Sequence, residues 1–500
     1  MLGLWKRGIV SKILLIAAPR PDSNQTAMHM GDGRPPMGLA YISAYVENFG
    51  HETKIVDLYH FGGGHVDEQQ DYVKASATIS HIIKNDKPYD IMGEIERYNP
   101  DVIGMYLGTI SYYEGTELAQ EIKQRYPNIP TMVGGPHAIE LPETLTPYFD
   151  YVVCGEGERA AIDIIEGRAE KGIVKRDNID DINELPLPDF RHFIHKPYNW
   201  RLEMFENDIN PVVTLNSTRG CPFSCMFCGV ANTKFRGIAA ERLVGYITDL
   251  QDRYGAQGIY FREDNFTVQP KRVEDFCDII ISENINIKWA CETRVNNLKP
   301  KLIEKMAKSG CVGLYIGVES GSPRMLKYMR KGETREDFIE KLPIIHASGM
   351  TSYTTWVFGL PSETEEDRDE SYRFIDLLKP TTADTFVYLG QPGSDYYKML
   401  DATKTYEFKE RNGLFYIPGF IPLAKRVYGE NDPRVEFVET LYEKNKVKPG
   451  PLEPFYIDEE LYAQLATKKV RSQLSEKDDP TKDKLMPALS IVHKHEYEIA

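Results

Sequence analysis

Short apolar runs separated by amphipathic stretches recur along most of this 500-residue chain. Such alternation restricts the fold to parallel sheets with helices packed on their faces. In the first part, residues 13–17, 54–57, 102–106, 131–133 and 151–153 read as buried strands, which implies a doubly wound, Rossmann-like sheet. The helix after the first strand begins near Pro35 and Pro36, and Leu39, Ile42, Val46 and Phe49 follow at helical spacing. Six further runs, about 211–216, 258–262, 288–293, 312–318, 352–358 and 385–389, interleave with helices and fit a partial (β/α)6 barrel. Asp180 to Pro188 mix acidic residues with prolines that cannot continue a helix, as a domain connection would. The expected α/β organisation is a domain over 1–165, a linker over 166–210, a barrel over 211–398 and a mainly helical cap over 399–500. In that cap Val435, Val438 and Tyr442 mark one helix, and Leu461 and Leu465 behind Asp458 mark another.

Loops at the carboxyl ends of parallel strands carry ligand chemistry. The loop after the first barrel strand reads Arg-Gly-Cys-Pro-Phe-Ser-Cys-Met-Phe-Cys-Gly and holds Cys221, Cys225 and Cys228. Three thiolates suit three irons of a [4Fe-4S] cluster and leave the fourth iron without a protein ligand. Cys154, Cys277, Cys291 and Cys311 lie far from the triplet in sequence and read as small buried thiols. Zinc competes for such a set, but it prefers four closed ligands, often two CxxC-like pairs.

The CxxxCxxC spacing, placed after the apolar run Pro-Val-Val-Thr-Leu, resembles the signature of the radical S-adenosylmethionine (SAM) superfamily. The resemblance implies that the amino and carboxylate groups of SAM occupy the open iron. It places Glu263 or Asp264, in Arg262-Glu-Asp-Asn265, at the SAM amino group. It places Arg294, which closes Trp289-Ala-Cys-Glu-Thr-Arg294, at the SAM carboxylate, a salt bridge between strand ends being the other reading. Gly317-Val-Glu-Ser-Gly321 resembles the segment that touches the SAM ribose, which implies contacts from Glu319 and Ser320. Gly359-Leu-Pro-Ser-Glu-Thr364 departs from a common Gly-Leu-Pro-Gly-Glu-Thr pattern at Ser362, where an altered turn is expected. Pro392-Gly-Ser-Asp-Tyr-Tyr397 is similar to the usual closing segment.

Each glycine cluster of the first part, taken singly, reads as a tight turn. In order, Pro-Pro-Met-Gly-Leu-Ala-Tyr, Gly-His-Glu-Thr-Lys-Ile-Val-Asp, Gly-Gly-Pro-His and Gly-Glu-Gly-Glu resemble the cobalamin-binding domain that precedes the radical SAM core in one branch of that superfamily. The resemblance implies that Thr109, Ser111, Gly134, Gly135, His137 and Glu156 stand near cobalamin. Cobalamin carriers place a cobalt-ligating histidine in DxHxxG. Here Asp57-Leu-Tyr-His60-Phe-Gly62 is misspaced and follows the wrong strand, and His29 is a lone loop histidine, so cobalt is expected to have no protein histidine below it.

With 60 basic and 75 acidic residues the net charge is −15, which argues against a nucleic-acid partner. Seven cysteines with three committed to a cluster form no disulfide framework, as expected for a reducing cytoplasm. The apolar run Ile13–Ala18 is too short to span a membrane, and no targeting segment is expected. The resemblance implies a cobalamin-dependent radical SAM methyltransferase. Reductive SAM cleavage would give a 5′-deoxyadenosyl radical, and a methyl group would pass from methylcobalamin to an unactivated carbon or phosphorus of a small molecule or natural product. A flavodoxin or ferredoxin would supply electrons. The alternatives are a cobalamin-dependent cyclase or ring-rearranging enzyme, and a cobalamin carrier or sensor; the intact triplet, the acidic pair and Glu319 argue against the latter. Methylthiotransferases are set aside because only Cys154 precedes Cys221.

Overall fold

A computed structural model describes residues 10–19, 34–61, 89–194, 196, 198, 202, 204, 205 and 209–456. Two sheets of six parallel strands carry the architecture. The first has the spatial order Glu52–Asp57, Lys12–Ala17, Val102–Tyr106, Thr131–Gly134, Tyr151–Val153, Gly172–Val174. All five strands read from the sequence are present, and the sixth, Gly172–Val174, lies beyond residue 165. Successive residues of the central strand face opposite helix layers. Leu14 and Ile16 pack with Ile95, Leu118 and Ile122, whereas Ile13 and Leu15 pack with Leu39, Val46 and Ala161. Strand order reverses between Lys12–Ala17 and Val102–Tyr106, which opens a crevice at the carboxyl ends. In helix Met37–Asn48 the buried stripe is Leu39, Tyr41 and Val46; Phe49 falls on the C-cap and is exposed rather than core.

The second sheet keeps chain order from Val212–Leu215 through Gly258–Phe261, Lys288–Thr293, Cys311–Glu319 and Thr351–Phe358 to Thr382–Val387. Six consecutive β/α units of this kind are the expected partial barrel. The last strand starts three residues earlier than the 385–389 reading, because Thr382, Ala383 and Asp384 form half-buried edge backbone without an apolar pattern. Phe261 and Trp289 point outward and cluster with Phe266 and Phe276 beneath the helices. The other face forms its own cluster of Val212, Tyr260, Ala290 and Tyr353, into which Met204 and Phe205 of the connecting segment insert. A Cβ on Gly258 would stand 3.0 Å from Phe205 Cε1, and one on Gly313 3.3 Å from Met204 Cβ. The connection therefore fills the amino end of the barrel lumen.

The cap contains helices Asp395–Thr403, Phe420–Tyr428 and Pro433–Lys444, the last burying Val435, Val438 and Tyr442 as expected. It also contains a small antiparallel sheet of Leu389–Gly390, Phe415–Tyr416 and Phe408–Lys409 that is too short to register as a pattern in sequence. Asp458, Leu461, Leu465 and His29 lie outside the described residues. Among the described residues no helix is long and apolar enough to cross a membrane.

Candidate active site between the two sheets

The carboxyl ends of the sheets face each other across a cleft of about 810 Å³. Thr109 and Ser111 line it from the first sheet; Thr214, Glu263, Asp264, Glu292 and Cys228 line it from the second. An adjoining cavity of about 430 Å³ runs into the first domain and shares Tyr106, Pro136, Asn216 and Asp264 with the cleft. Its floor is Leu15, Gly104, Met132 and Val153, and its mouth is lined by Gly134, Gly135, Gly155 and Glu156. Gly104 keeps the floor open between its neighbours, since a Cβ there would come within 2.9 Å of both Leu15 and Met132. Gly135 has φ +104, and a Cβ would lie 2.8 Å from the Leu107 carbonyl oxygen. Only glycine allows that approach.

His137 does not line either cavity. It is fully buried, with Nδ1 3.1 Å from Thr109 Oγ1 and Nε2 2.9 Å from Thr144 Oγ1, so it fixes Thr109, which does line the cleft. Burial pushes its pKa down to about 4, and the ring stays neutral.

Glu156 carries a second task. Its carboxylate pairs with Arg219 at 3.3 Å and Arg236 at 2.5 Å, while Arg219 also reaches Glu158 at 2.5 Å and stacks on Tyr41. Tyr41 donates to the Asn216 carbonyl at 2.6 Å. These contacts join the first domain to the residues just ahead of Cys221. Arg219 and Tyr41 stand inside motifs read from the sequence, but nothing there marked these contacts, because the partners are more than sixty residues apart in the chain.

In the cysteine loop Cys221 and Cys225 are buried and Cys228 half-buried. Gly220 has φ +82 and a Cβ there would stand 2.4 Å from the Lys234 carbonyl oxygen, so the loop closes on a backbone contact that admits no side chain. Among the described residues no three His, Cys, Asp or Glu side chains converge on a point where one metal ion would sit. A cluster spreads its thiolates over separate irons, and the triplet is suited to that rather than to closed zinc. Burial pushes the Cys228 thiol up to about 11, so the thiol keeps its proton until a metal displaces it.

Arg294 donates from Nη1 to Cys225 Sγ at 3.1 Å, from Nη2 to the Lys331 carbonyl, and lies over the Phe223 ring. Glu333 is 3.4 Å from Arg294 and 3.5 Å from Lys331, and Lys331 Nζ is 3.2 Å from Glu319 Oε1. Glu319 sits at φ +71 beyond a register shift in its strand. That backbone strain, in a charged residue at a strand end, is of the kind that marks functional sites. Ser320 turns away from the cleft, bonding Ser371 Oγ at 3.2 Å and the Ser322 amide at 3.1 Å.

The acidic pair divides. Glu263 is buried and accepts hydrogen bonds from the Ser217 amide and the Thr218 hydroxyl, so it braces the first strand end. Asp264 faces both cavities; burial raises its pKa and the Gly220 amide lowers it. Of the two, Asp264 is the carboxylate open to a ligand.

Residues 215–375 match the radical SAM superfamily, and residues 30–165 match the B12 binding domain. The chain thus carries a B12-binding domain followed by a radical SAM domain. It is 28% identical over 409 residues to an uncharacterized methyltransferase of Pyrococcus horikoshii, covering 77% of this chain and 82% of that one. It is 23% identical to the anaerobic magnesium-protoporphyrin IX monomethyl ester cyclase of Cereibacter sphaeroides, covering 81% and 66%. Its fold is shared with the radical SAM methyltransferase TsrM from Kitasatospora setae, with a TM-score of 0.59 at 15% identity over 83% of this chain and 87% of that one.

Proposed function

We propose that this chain is a cobalamin-dependent radical SAM methyltransferase acting on an unactivated carbon or phosphorus of a small molecule. The observation that carries the reading is the shared cleft: the cysteine loop and Asp264 border it from the barrel, and the glycine-lined cavity opens beside it from the first domain. When bound, cluster, SAM and cobalamin together supply a 5′-deoxyadenosyl radical and a transferable methyl group. Cys221, Cys225 and Cys228 would hold three irons, with Arg294 donating a hydrogen bond to the Cys225 sulfur. Asp264 would take the SAM ammonium, and Glu319, held by Lys331, the ribose hydroxyls. The apolar floor at Leu15 and Met132 suits a flat aromatic group of the cobalamin tail, and Gly134 and Gly135 let backbone approach it closely. Thr109 and Ser111 would meet the corrin side; the Ser111 hydroxyl is buried without a partner among the described residues. A reduced flavodoxin or ferredoxin in the cytoplasm would supply electrons. The domain limits read from the sequence, 1–165, 166–210, 211–398 and 399–500, are proposed with two shifts: the first domain extends to Val174, the sixth strand of its sheet, and the cap begins at Leu389, whose strand pairs with Phe415–Tyr416.

The magnesium-protoporphyrin cyclase among the relatives favours a second reading, cyclisation without methyl transfer. The test is anaerobic reconstitution with iron, sulfide and hydroxocobalamin, then SAM and a strong reductant, with products followed by mass spectrometry. The methyltransferase forms both 5′-deoxyadenosine and S-adenosylhomocysteine, and Cys225→Ala abolishes the deoxyadenosine. Deoxyadenosine alone supports the cyclase. Neither product from a protein loaded with cluster and cobalamin overturns both.

A further inference from the structure

The barrel lumen is polar just above its apolar plug, in a way that neither the cysteine loop nor the SAM-facing residues require. Along strand Lys288–Thr293, Ala290 belongs to the lumen cluster, so Glu292, two residues on, projects to the same side one layer higher. Its Oε1 accepts a hydrogen bond from Tyr260 at 2.7 Å. Its second oxygen has no donor among the described residues, and the side chain lines the cleft. Thr214, one strand away, also lines the cleft; it is 2% exposed and its hydroxyl has no hydrogen-bond partner among the described residues. A buried hydroxyl and a half-buried carboxylate, each with an oxygen that no described residue donates to, face the same open cleft and can take a ligand there.

Carboxylates outnumber cations in the cleft lining, Asp57, Glu263, Asp264 and Glu292 against Arg34 and Arg262. Glu263, Asp264 and Glu292 border the same cleft, and Asp384 lies beyond, bonded by Tyr315 at 3.1 Å. Burial pushes the Glu292 pKa up to about 7, against the pull of Tyr260 and Arg262. A cation beside it would restore the ionised form. Tyr59, Leu389 and Leu414 give the cleft an apolar wall opposite this floor.

We propose that Glu292 and Thr214 form the recognition site for a cationic amino group of the substrate, the rest of which lies against the apolar wall between the barrel and the first domain. The inference rests on the methyltransferase reading for what happens next, but binding can be measured without turnover.

The experiment uses the full chain loaded with cluster, cobalamin and SAM, so that Asp264 is occupied. Phenethylamine, 3-phenylpropionate and 2-phenylethanol, matched in body and differing in charge, are titrated by ligand-observed NMR. Phenethylamine is expected to bind with preference over the other two, and Glu292→Gln, which keeps the shape and the Tyr260 contact, is expected to weaken it about tenfold or more. Thr214→Val is expected to weaken it less, in proportion to one neutral hydrogen bond. Equal binding of all three probes, or of phenethylamine to wild type and Glu292→Gln, overturns the proposal. Substrate-independent SAM cleavage is measured on the same samples. Cluster and cobalamin absorbance show that wild type and Glu292→Gln are equally folded and loaded, and absence of cleavage from wild type is a failure of the functional reading instead.

Discussion

The two walls of the cleft achieve their shapes by opposite means. On the first-domain side, beside the charged Arg34, Asp57 and Glu156, the strand-end loops offer backbone and neutral groups: Gly134 and Gly135, and Thr109 steadied by an uncharged His137. The barrel wall is braced by buried charge: Glu263, on the cleft, is bonded to Ser217 and Thr218, and a network of Arg294, Lys331, Glu319 and Glu333 reaches the cysteine loop through the Arg294 contact with Cys225. A neutral cradle fails by steric intrusion, whereas a charge network fails when one member is left without its partner.

The largest effect should come from the charged wall. Lys331→Met leaves Glu319 and Glu333 facing each other in a site where Lys331 is 4% exposed, and should cost about 3–5 kcal/mol in chemical denaturation. Adding Glu319→Gln should recover part of that loss; additive costs would break the network picture. On the neutral wall, acid is the sharper probe. The unfolded chain protonates His137 near 6.5 while the folded ring resists until about 4, so stability falls as pH drops through that window. The loss should approach about 3 kcal/mol at the acid end, and His137→Gln should flatten the profile between those values. Gly135→Ala should cost about 1–3 kcal/mol by pushing a methyl group at the Leu107 carbonyl, with cobalamin retention on gel filtration falling in step. The smallest effect is a gain. Ser362 occupies φ +65, the position where the related pattern has glycine, so Ser362→Gly should raise stability by about 0.5–1 kcal/mol.

What the sequence made legible follows the same division. Strand positions and the cysteine spacing depend on local periodicity and separation along the chain, and both sheets formed where apolar runs stood. The roles of individual charges depend on what faces them across the fold. Adjacent residues Glu263 and Asp264 look alike in sequence and both line the cleft, yet the Glu263 carboxylate is taken up by Ser217 and Thr218 while Asp264 faces both cavities. His137 sits in a glycine-rich loop that suggests ligand contact, but its ring is consumed by Thr109 and Thr144. The altered turn expected at Ser362 takes physical form as a left-handed residue whose amide donates to the Phe455 carbonyl at 2.7 Å. Strand Gly172–Val174 escaped notice because three residues with one buried side chain carry no periodic signal.

Met204 and Phe205 close the amino end of the barrel as a stopper closes a flask. The mouth then lies in the seam between the domains, where Arg219 is clasped by Glu156 and Glu158. Whatever fills that seam stands in the doorway of the lumen. Loading is therefore expected to be ordered, and stopped-flow binding in which the sequence of mixing leaves every rate unchanged would contradict it.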